Sequence, residues 1–99
     1  MKNTNPAKIL LEPVICEPGQ LGAIIRSARK ASGLTIVEAA ASIGIAKQTL
    51  ANIERGRSSV GIQTVLKVAT DLGVSIIAIQ KNESAFIRRT ILESREESS

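Results

Sequence analysis

The chain has 99 residues, of which 43% are hydrophobic, and a formal net charge of +4, so its length indicates a single domain with a small core. It contains no histidine and one cysteine, Cys16, which excludes a histidine-based catalytic triad, a Cys/His metal cluster and an intrachain disulfide. Phe86 is the only aromatic residue, which disfavours stacking on single-stranded nucleic acid, and we expect neither enzymatic activity nor a metal or other cofactor.

The basic charge is concentrated ahead of the C-terminal tail. Residues 1–82 hold ten basic and five acidic residues, a net charge of +5, whereas residues 83–99 hold three basic and four acidic residues, a net charge of −1. A basic folded part suits a polyanionic partner. Because we find no convincing signal peptide and no apolar segment long enough to cross a bilayer, the sequence predicts a cytoplasmic protein with no membrane partner.

The first 17 residues are expected to form an N-terminal arm. They are polar up to about residue 8, and residues 9–16 are apolar but interrupted by Pro13, which favours an extended arm or a short strand. Pro18 suits the first turn of a helix, and this helix is predicted to end near Ser32. Its inner stripe is predicted to contain Leu21, Ile24, Ile25 and Ala28.

Residues 33–57 predict two short helices joined by a tight turn. Thr35 followed by Glu38 is a capping-box pattern that begins the first helix. Gly44 ends it, because glycine adopts a left-handed backbone conformation at little cost. The second helix is predicted over residues 46–55, and Gly56 stops it. The buried positions predicted in this pair are Ile36, Val37, Ala39, Ala40, Ile43, Leu50 and Ile53.

The outer face of the second short helix is the candidate functional surface. With its apolar side turned inward, this helix presents four polar residues: Lys47, Gln48, Thr49 and Asn52. Such a pair is typical of a helix-turn-helix, whose second helix places side chains in the major groove of DNA. The alternative is an ordinary helical hairpin in a small bundle, since capping boxes and terminal glycines occur in many helical domains.

A fourth helix is predicted over residues 61–72, with an apolar stripe of Ile62, Val65, Leu66, Ala69 and Leu72. Residues 74–80 are rich in β-branched side chains and favour a strand. A lone strand exposes unpaired backbone groups, so we expect it to pair with the same strand of a second subunit. The alternative is a fifth short helix packed in the core. The residues assigned to the dimer strand are Val74, Ile76, Ile77 and Ile79.

The tail, residues 81–99, is predicted to be partly disordered. Residues 84–93 favour a short helix with Phe86, Ile87 and Ile91 on one side, and residues 94–99 have the composition of a disordered end. The chain is therefore divided into an N-terminal arm (1–17), a helix-turn-helix domain (18–73), a dimerisation strand (74–80) and this tail.

From residue 21 to about residue 80 the pattern resembles the xenobiotic-response-element/Cro–C1 helix-turn-helix family, to which the lambdoid phage repressors belong. The resemblance rests on a set of short matches: Leu21-Gly22, Ile25-Arg26, Arg29-Lys30, Gly33-Leu34-Thr35, Ile43-Gly44-Ile45, Thr49-Leu50, Ile53-Glu54-Arg55-Gly56 and Leu72-Gly73-Val74. It implies a mainly α, lambda-repressor-like domain of four or five helices that binds a palindromic operator in double-stranded DNA as a homodimer. The chain departs from the family at Ile36, where a phosphate-contacting glutamine is usual, and in its longer N-terminal arm.

A strand-forming segment directly after Leu72-Gly73 also resembles the HipB-type antitoxins, whose C-terminal strand pairs across the dimer. This resemblance implies a HipA-like kinase toxin as partner and autorepression of a toxin–antitoxin operon. A stand-alone phage-type regulator, a protein-interaction module and an RNA-binding helical protein remain as alternatives.

Individual roles follow from side-chain chemistry and from the resemblance. Lysine and glutamine can read guanine and adenine edges in the major groove, so we expect base contacts from Lys47, Gln48 and Asn52. In the repressors that the chain resembles, residues at the positions of Arg29 and Glu54 pair and link the first helix to the recognition helix. Phosphate contacts, which set the register on DNA, are expected from Thr49, Arg55, Arg57 and Ser58.

Overall fold

The computed structural model describes residues 11–57 and 59–98. These residues form five α-helices, and the predicted mainly helical class is confirmed. A single turn of 3₁₀ helix, Lys81–Glu83, precedes the last of them. The helices are α1 (Pro18–Ala31), α2 (Ile36–Ile43), α3 (Lys47–Arg55), α4 (Ile62–Asp71) and α5 (Ser84–Ser98).

The core lies between the first four helices. Ile25 of α1, Leu50 of α3 and Val68 of α4 are all 0% exposed, so each of these helices contributes a fully buried side chain. From α2 come mainly small residues, Ala39 and Ala40, which leave little bulk between the helices. Burial of these apolar side chains is the main force that holds four short helices together.

Local signals predicted in the sequence produce the ends of α2. The Thr35 hydroxyl accepts a hydrogen bond of 3.1 Å from the Glu38 N–H, and the Glu38 carboxylate accepts one of 2.9 Å from the Thr35 N–H. Hydrogen bonds to the Glu38 carboxylate, from the Thr35 N–H foremost and then from the Thr35 side chain, lower the pKa of Glu38. Gly44 follows with φ of 91°, a left-handed conformation. The predicted capping box and glycine stop are confirmed.

Some predicted core positions are wrong. Val37 is 56% exposed because it lies between the positions that repeat every three or four residues on the inner face of α2. In α4, Ile62 and Leu66 are 76% and 44% exposed, whereas Val68, absent from the predicted stripe, is completely buried. The inward stripe of α4 is therefore rotated relative to the prediction.

Residues 74–80 form neither the predicted strand nor the alternative short helix. A strand is defined by backbone hydrogen bonds to a neighbouring strand, and residues 11–57 and 59–98 of one chain contain no such ladder. Val74 is half-buried beside the core, but Ile76, Ile77 and Ile79 are exposed by 47%, 75% and 36%. The segment therefore leaves apolar surface uncovered in a single chain.

The C-terminal helix is longer than predicted, because α5 continues to Ser98 through residues expected to be disordered. Ile87 and Ile91 are partly buried, but Phe86 is 68% exposed and does not share their face. The helix is held by contacts distant in sequence: the Arg88 Nε donates to both carboxylate oxygens of Glu12, at 2.8 and 2.9 Å. The residue types near Glu12 or near Arg88 do not predict that contact.

Of the predicted arm, residues 1–10 lie outside the described residues, and residues 11–17 form a segment beside α5. The Arg95 Nη1 donates to the Leu11 carbonyl at 2.6 Å, which adds a second contact to that of Glu12. An apolar groove of about 790 Å³ separates this segment and α5 from α1 and residues 73–79. In the part of the chain that is described, no helix has the length and hydropathy needed to cross a membrane.

Candidate nucleic-acid interface

The helix α3 is oriented by its buried side. Leu50 is completely buried, and Ile53 and Glu54 are 6% and 8% exposed. The backbone turns sharply at Gly44, and Ile45 then packs against the core. With its inner face fixed in this way, the opposite face of α3 must point away from the protein.

That opposite face carries the predicted contact residues. Lys47 and Gln48, at the N-terminal end, are exposed, and Thr49 and Asn52 are half-buried. Arg55 at the other end of α3 and Arg57 just beyond it are exposed, and Ser58 lies outside the described residues.

Basic side chains flank the polar residues at both ends of this helix. A rise of 1.5 Å per residue places Lys47 and Arg55 about 12 Å apart along the helix axis. The major groove of B-DNA has a width of about 12 Å. A helix with its side chains is about 10–12 Å in diameter, so the thickness of α3, rather than its length, is what fits that groove.

Two of the polar residues are already in contact. The Gln48 Nε2 donates a hydrogen bond of 3.0 Å to the Asn52 Oδ1, one helical turn away. The exposed amide of Gln48 is thus held by a side chain closer to the protein body. The sequence spacing of four residues on one helix allows this bond, although the sequence alone did not lead us to expect it.

A buried ion pair connects α1 to α3. The Arg29 Nε and Nη2 donate to the two carboxylate oxygens of Glu54 at 2.7 and 3.0 Å, and the two side chains are only 9% and 4% exposed. The hydrogen bond with Glu54 raises the pKa of Arg29. The structure therefore brings together the two residues that the family resemblance paired.

Leu34 is a third member of this arrangement that sequence reasoning missed. The Arg29 Nη1 donates to its carbonyl at 2.8 Å, and Leu34 immediately precedes the residue that caps α2. One guanidinium thus contacts the start of α2 and the end of α3 at the same time. Backbone acceptors of this kind are not visible in residue types, because every residue has a carbonyl group.

A close backbone approach also fixes α3 against α1. A Cβ placed on Gly22 would collide with the Ile53 carbonyl and lie 2.5 Å from the Glu54 carbonyl oxygen. Gly56, with φ of 67°, lies against the backbone of Gly19 in the same way. Glycine is required at Gly22 because no larger residue allows this helix-to-helix contact.

The helix-turn-helix family HTH_3 matches residues 25–79, more than half of the chain. The protein belongs to this helix-turn-helix family. The match includes α2 and α3 with the ion pair between Arg29 and Glu54, and the resemblance to the Cro–C1 group is confirmed at the level of the family.

Among solved structures, the helix-turn-helix chain is similar to one named "MDT Protein". The two share 28% sequence identity with a TM-score of 0.61, over 69% of this chain and 96% of the other. No curated protein matches the chain. The family points to a DNA-binding transcription regulator and is generally non-enzymatic, so the outward face of α3 is the candidate DNA-binding surface.

Proposed function

We propose that this protein is a sequence-specific repressor that reads double-stranded DNA through α3. The observation that carries the proposal is that one face of this helix is buried and the opposite face is exposed. Its inner face is fixed by Leu50 and by the buried Arg29–Glu54 pair, while Lys47 and Gln48 are exposed at its N-terminal end. A recognition helix needs this combination, because its base-reading residues must be rigidly presented yet accessible.

Roles within the surface are assigned by chemistry. Lys47 suits the O6 and N7 acceptors of guanine and Gln48 suits the N6 donor and N7 acceptor of adenine, with Asn52 completing the polar face. Thr49, Arg55, Arg57 and Ser58 are assigned to phosphates, which fix register without reading sequence. Arg29 and Glu54 are assigned to orienting α3, since neither side chain is accessible to DNA.

The DNA-binding proposal is tested with variants on the exposed face. Duplexes selected from a randomised library by the wild-type protein serve as the probe in gel-shift titrations at several salt concentrations. We expect Lys47→Ala and Gln48→Ala to lower affinity for the selected duplex, and we expect wild-type binding to weaken steeply with salt as counterions are released.

Lys81→Ala is the matched control, because Lys81 is exposed on the 3₁₀ turn outside the candidate surface. Unchanged affinity and specificity in folded Lys47→Ala and Gln48→Ala variants would contradict the assignment of α3. A wild-type protein that shifts no duplex at low salt would instead favour a protein-interaction module.

We further propose that the protein binds a palindromic operator as a homodimer joined through residues 74–80. Exposed isoleucines in a segment without a strand partner in the described chain support pairing with a second copy, since pairing would cover both the side chains and the backbone groups. One α3 reads few base pairs, and a twofold dimer reads two half-sites about one helical turn apart.

The dimer is tested by sedimentation. Ile77 is 75% exposed, so Ile77→Lys leaves the single-chain core unchanged, and we expect it to produce monomers. Gln63→Lys places the same charge at an exposed position of α4 and should remain dimeric. A folded Ile77→Lys variant that stays dimeric at micromolar concentrations would contradict the assignment.

The finer proposal is that the repressor is the antitoxin and autorepressor of a HipA-type operon. Its support is the resemblance of residues 72–80 to HipB-type antitoxins. The test is co-expression with a kinase-like protein encoded by the adjacent gene, followed by co-purification and a growth-rescue assay. The absence of such a gene, or of rescue, would leave the stand-alone phage-type regulator as the function.

A further inference from the structure

The hydrogen bond between Gln48 and Asn52 joins an exposed side chain to a sheltered one. Gln48 is exposed, whereas Asn52 is half-buried and lines a small depression with Pro18 and Leu21 of α1. The bond of 3.0 Å runs from the Gln48 Nε2 to the Asn52 Oδ1. Asn52 is therefore the less exposed partner, and Gln48 is the side chain that reaches outward.

The bond leaves the reading capacity of Gln48 intact. A glutamine amide has two N–H donors and a carbonyl with two acceptor sites, and Asn52 occupies one donor only. The remaining N–H and the carbonyl oxygen form the donor–acceptor pair that complements N7 and N6 of adenine.

Holding Gln48 in advance increases its discrimination between bases. A free glutamine side chain loses rotamer freedom when it docks on a base, and this entropy loss opposes binding. A side chain that is already restrained loses less, so a larger share of the hydrogen-bond energy appears as preference for the correct base.

We propose that Asn52 is a positioning residue that holds the Gln48 amide for one adenine and reads no base of its own. This inference rests on the proposed function and deepens it, since it replaces three independent base contacts by Lys47 and a coupled Gln48–Asn52 unit. Loss of Asn52 then affects the same base pair as loss of Gln48, and no other.

The test uses the 99-residue chain and a duplex selected by it from a randomised library. Dissociation constants are measured for this duplex and for every single base-pair substitution in one half-site. Gln48→Ala is expected to remove on the order of tenfold or greater discrimination at one A·T pair. Asn52→Ala is expected to lose part of that discrimination at the same pair, and the double variant to match Gln48→Ala alone.

Two further variants separate positioning from a structural role. Asn52→Asp retains the acceptor for Gln48 but adds a negative charge, so it should weaken binding to all duplexes similarly while preserving the preference at that pair. Asn82→Ala removes an exposed asparagine outside α3 and should change neither affinity nor preference. Circular dichroism confirms that each variant is folded.

The inference is overturned if Asn52→Ala changes preference at a different base pair, leaves preference unchanged, or adds its effect fully to that of Gln48→Ala. Wild-type protein that enriches no sequence from the library would overturn the proposed function together with this inference. The first group of results leaves the proposed function standing, so the two failures are distinguishable.

Discussion

Two ion pairs show how differently the two parts of this molecule are built. Arg29 and Glu54 join α1 to α3 with side chains that are 9% and 4% exposed. Arg88 and Glu12 join α5 to the segment 11–17 with side chains that are 50% and 26% exposed. The chemistry is the same, an arginine on a carboxylate at 2.7 to 2.8 Å, but the surroundings are not.

The difference distinguishes two regions. In the closed region, helices α1–α4, the apolar side chains cover each other. In the open region, α5 with residues 11–17 and 74–80, apolar surface stays uncovered. Around Arg29 the four helices α1–α4 bury their apolar side chains against each other. Between α5, the segment 11–17 and α1 an apolar groove remains, and the isoleucines of residues 76–79 are exposed. A closed core resists rearrangement, whereas a region with uncovered apolar surface is suited to association.

The largest effect is expected from breaking the buried pair. Arg29→Ala leaves the Glu54 carboxylate buried without its partner and removes the bond to Leu34. We expect a loss of about 3–5 kcal/mol in the free energy of unfolding, measured by urea denaturation. The double variant Arg29→Met, Glu54→Leu should recover much of this loss, because it removes the unpaired charge. Equal stability of Arg29→Ala and wild type would mean that the pair is not buried in solution.

A smaller effect is expected from crowding the contact between α1 and α3. Gly22→Ala forces a methyl group against the carbonyls of Ile53 and Glu54, at a cost of about 1–3 kcal/mol. Since the clash displaces α3, DNA affinity should fall as well. Gly19→Ala, in the same helix, has open space at its Cβ position and should be neutral or slightly stabilising. A Gly22→Ala variant with normal stability and DNA binding would contradict the close approach.

Removal of the cap of α2 should have an intermediate to small effect. Thr35→Ala deletes the hydroxyl that accepts from the Glu38 N–H and is expected to cost about 1 kcal/mol. Thermal denaturation followed by circular dichroism measures the change. Thr70→Ala, at an exposed position of α4, removes a hydroxyl that caps no helix. It should leave the midpoint of thermal unfolding nearly unchanged.

The smallest effect is expected at the exposed pair. Hydrogen bonds from Arg88, ahead of the backbone N–H of Val14, lower the pKa of Glu12. A lowered folded-state pKa means that the ionised carboxylate stabilises the protein above its ordinary pKa and stops doing so as the pH falls through the lower, folded value. Wild type should therefore lose slightly more stability on acidification than Glu12→Gln, and high salt should reduce the difference. Identical acid profiles would show that the contact contributes nothing.

The closed region was the more predictable part of the fold. The capping box at Thr35, the left-handed Gly44 and the polar face that begins at Lys47 are all encoded within a few neighbouring residues. Finer packing is less predictable from sequence: Val37 is exposed and Val68 is buried, contrary to expectation, because the edge of an apolar stripe depends on how the neighbouring helices pack. The bond between Gln48 and Asn52 and the carbonyl of Leu34 depend on side-chain placement in three dimensions.

The open region was predicted poorly for a different reason. The contact of Glu12 with Arg88 joins residues separated by 76 positions, and no local pattern reports it. A strand over residues 74–80 needs backbone partners that the described part of one chain does not provide. Sequence patterns identify segments that expose apolar side chains or unpaired backbone groups, but they do not reveal which other segment or chain covers them.

The glycine at position 22 has a consequence for how this protein can diverge. Main-chain atoms of α1 meet main-chain atoms of α3 at that point, so no intervening side chain can be enlarged or trimmed to tilt one helix on the other. At this contact the distance between α1 and α3 is set by the main chain, in addition to the Arg29–Glu54 pair that joins the same two helices. If α3 reads DNA as proposed, new target sequences would be reached by exchanging its outward side chains on this unchanged helix-to-helix contact.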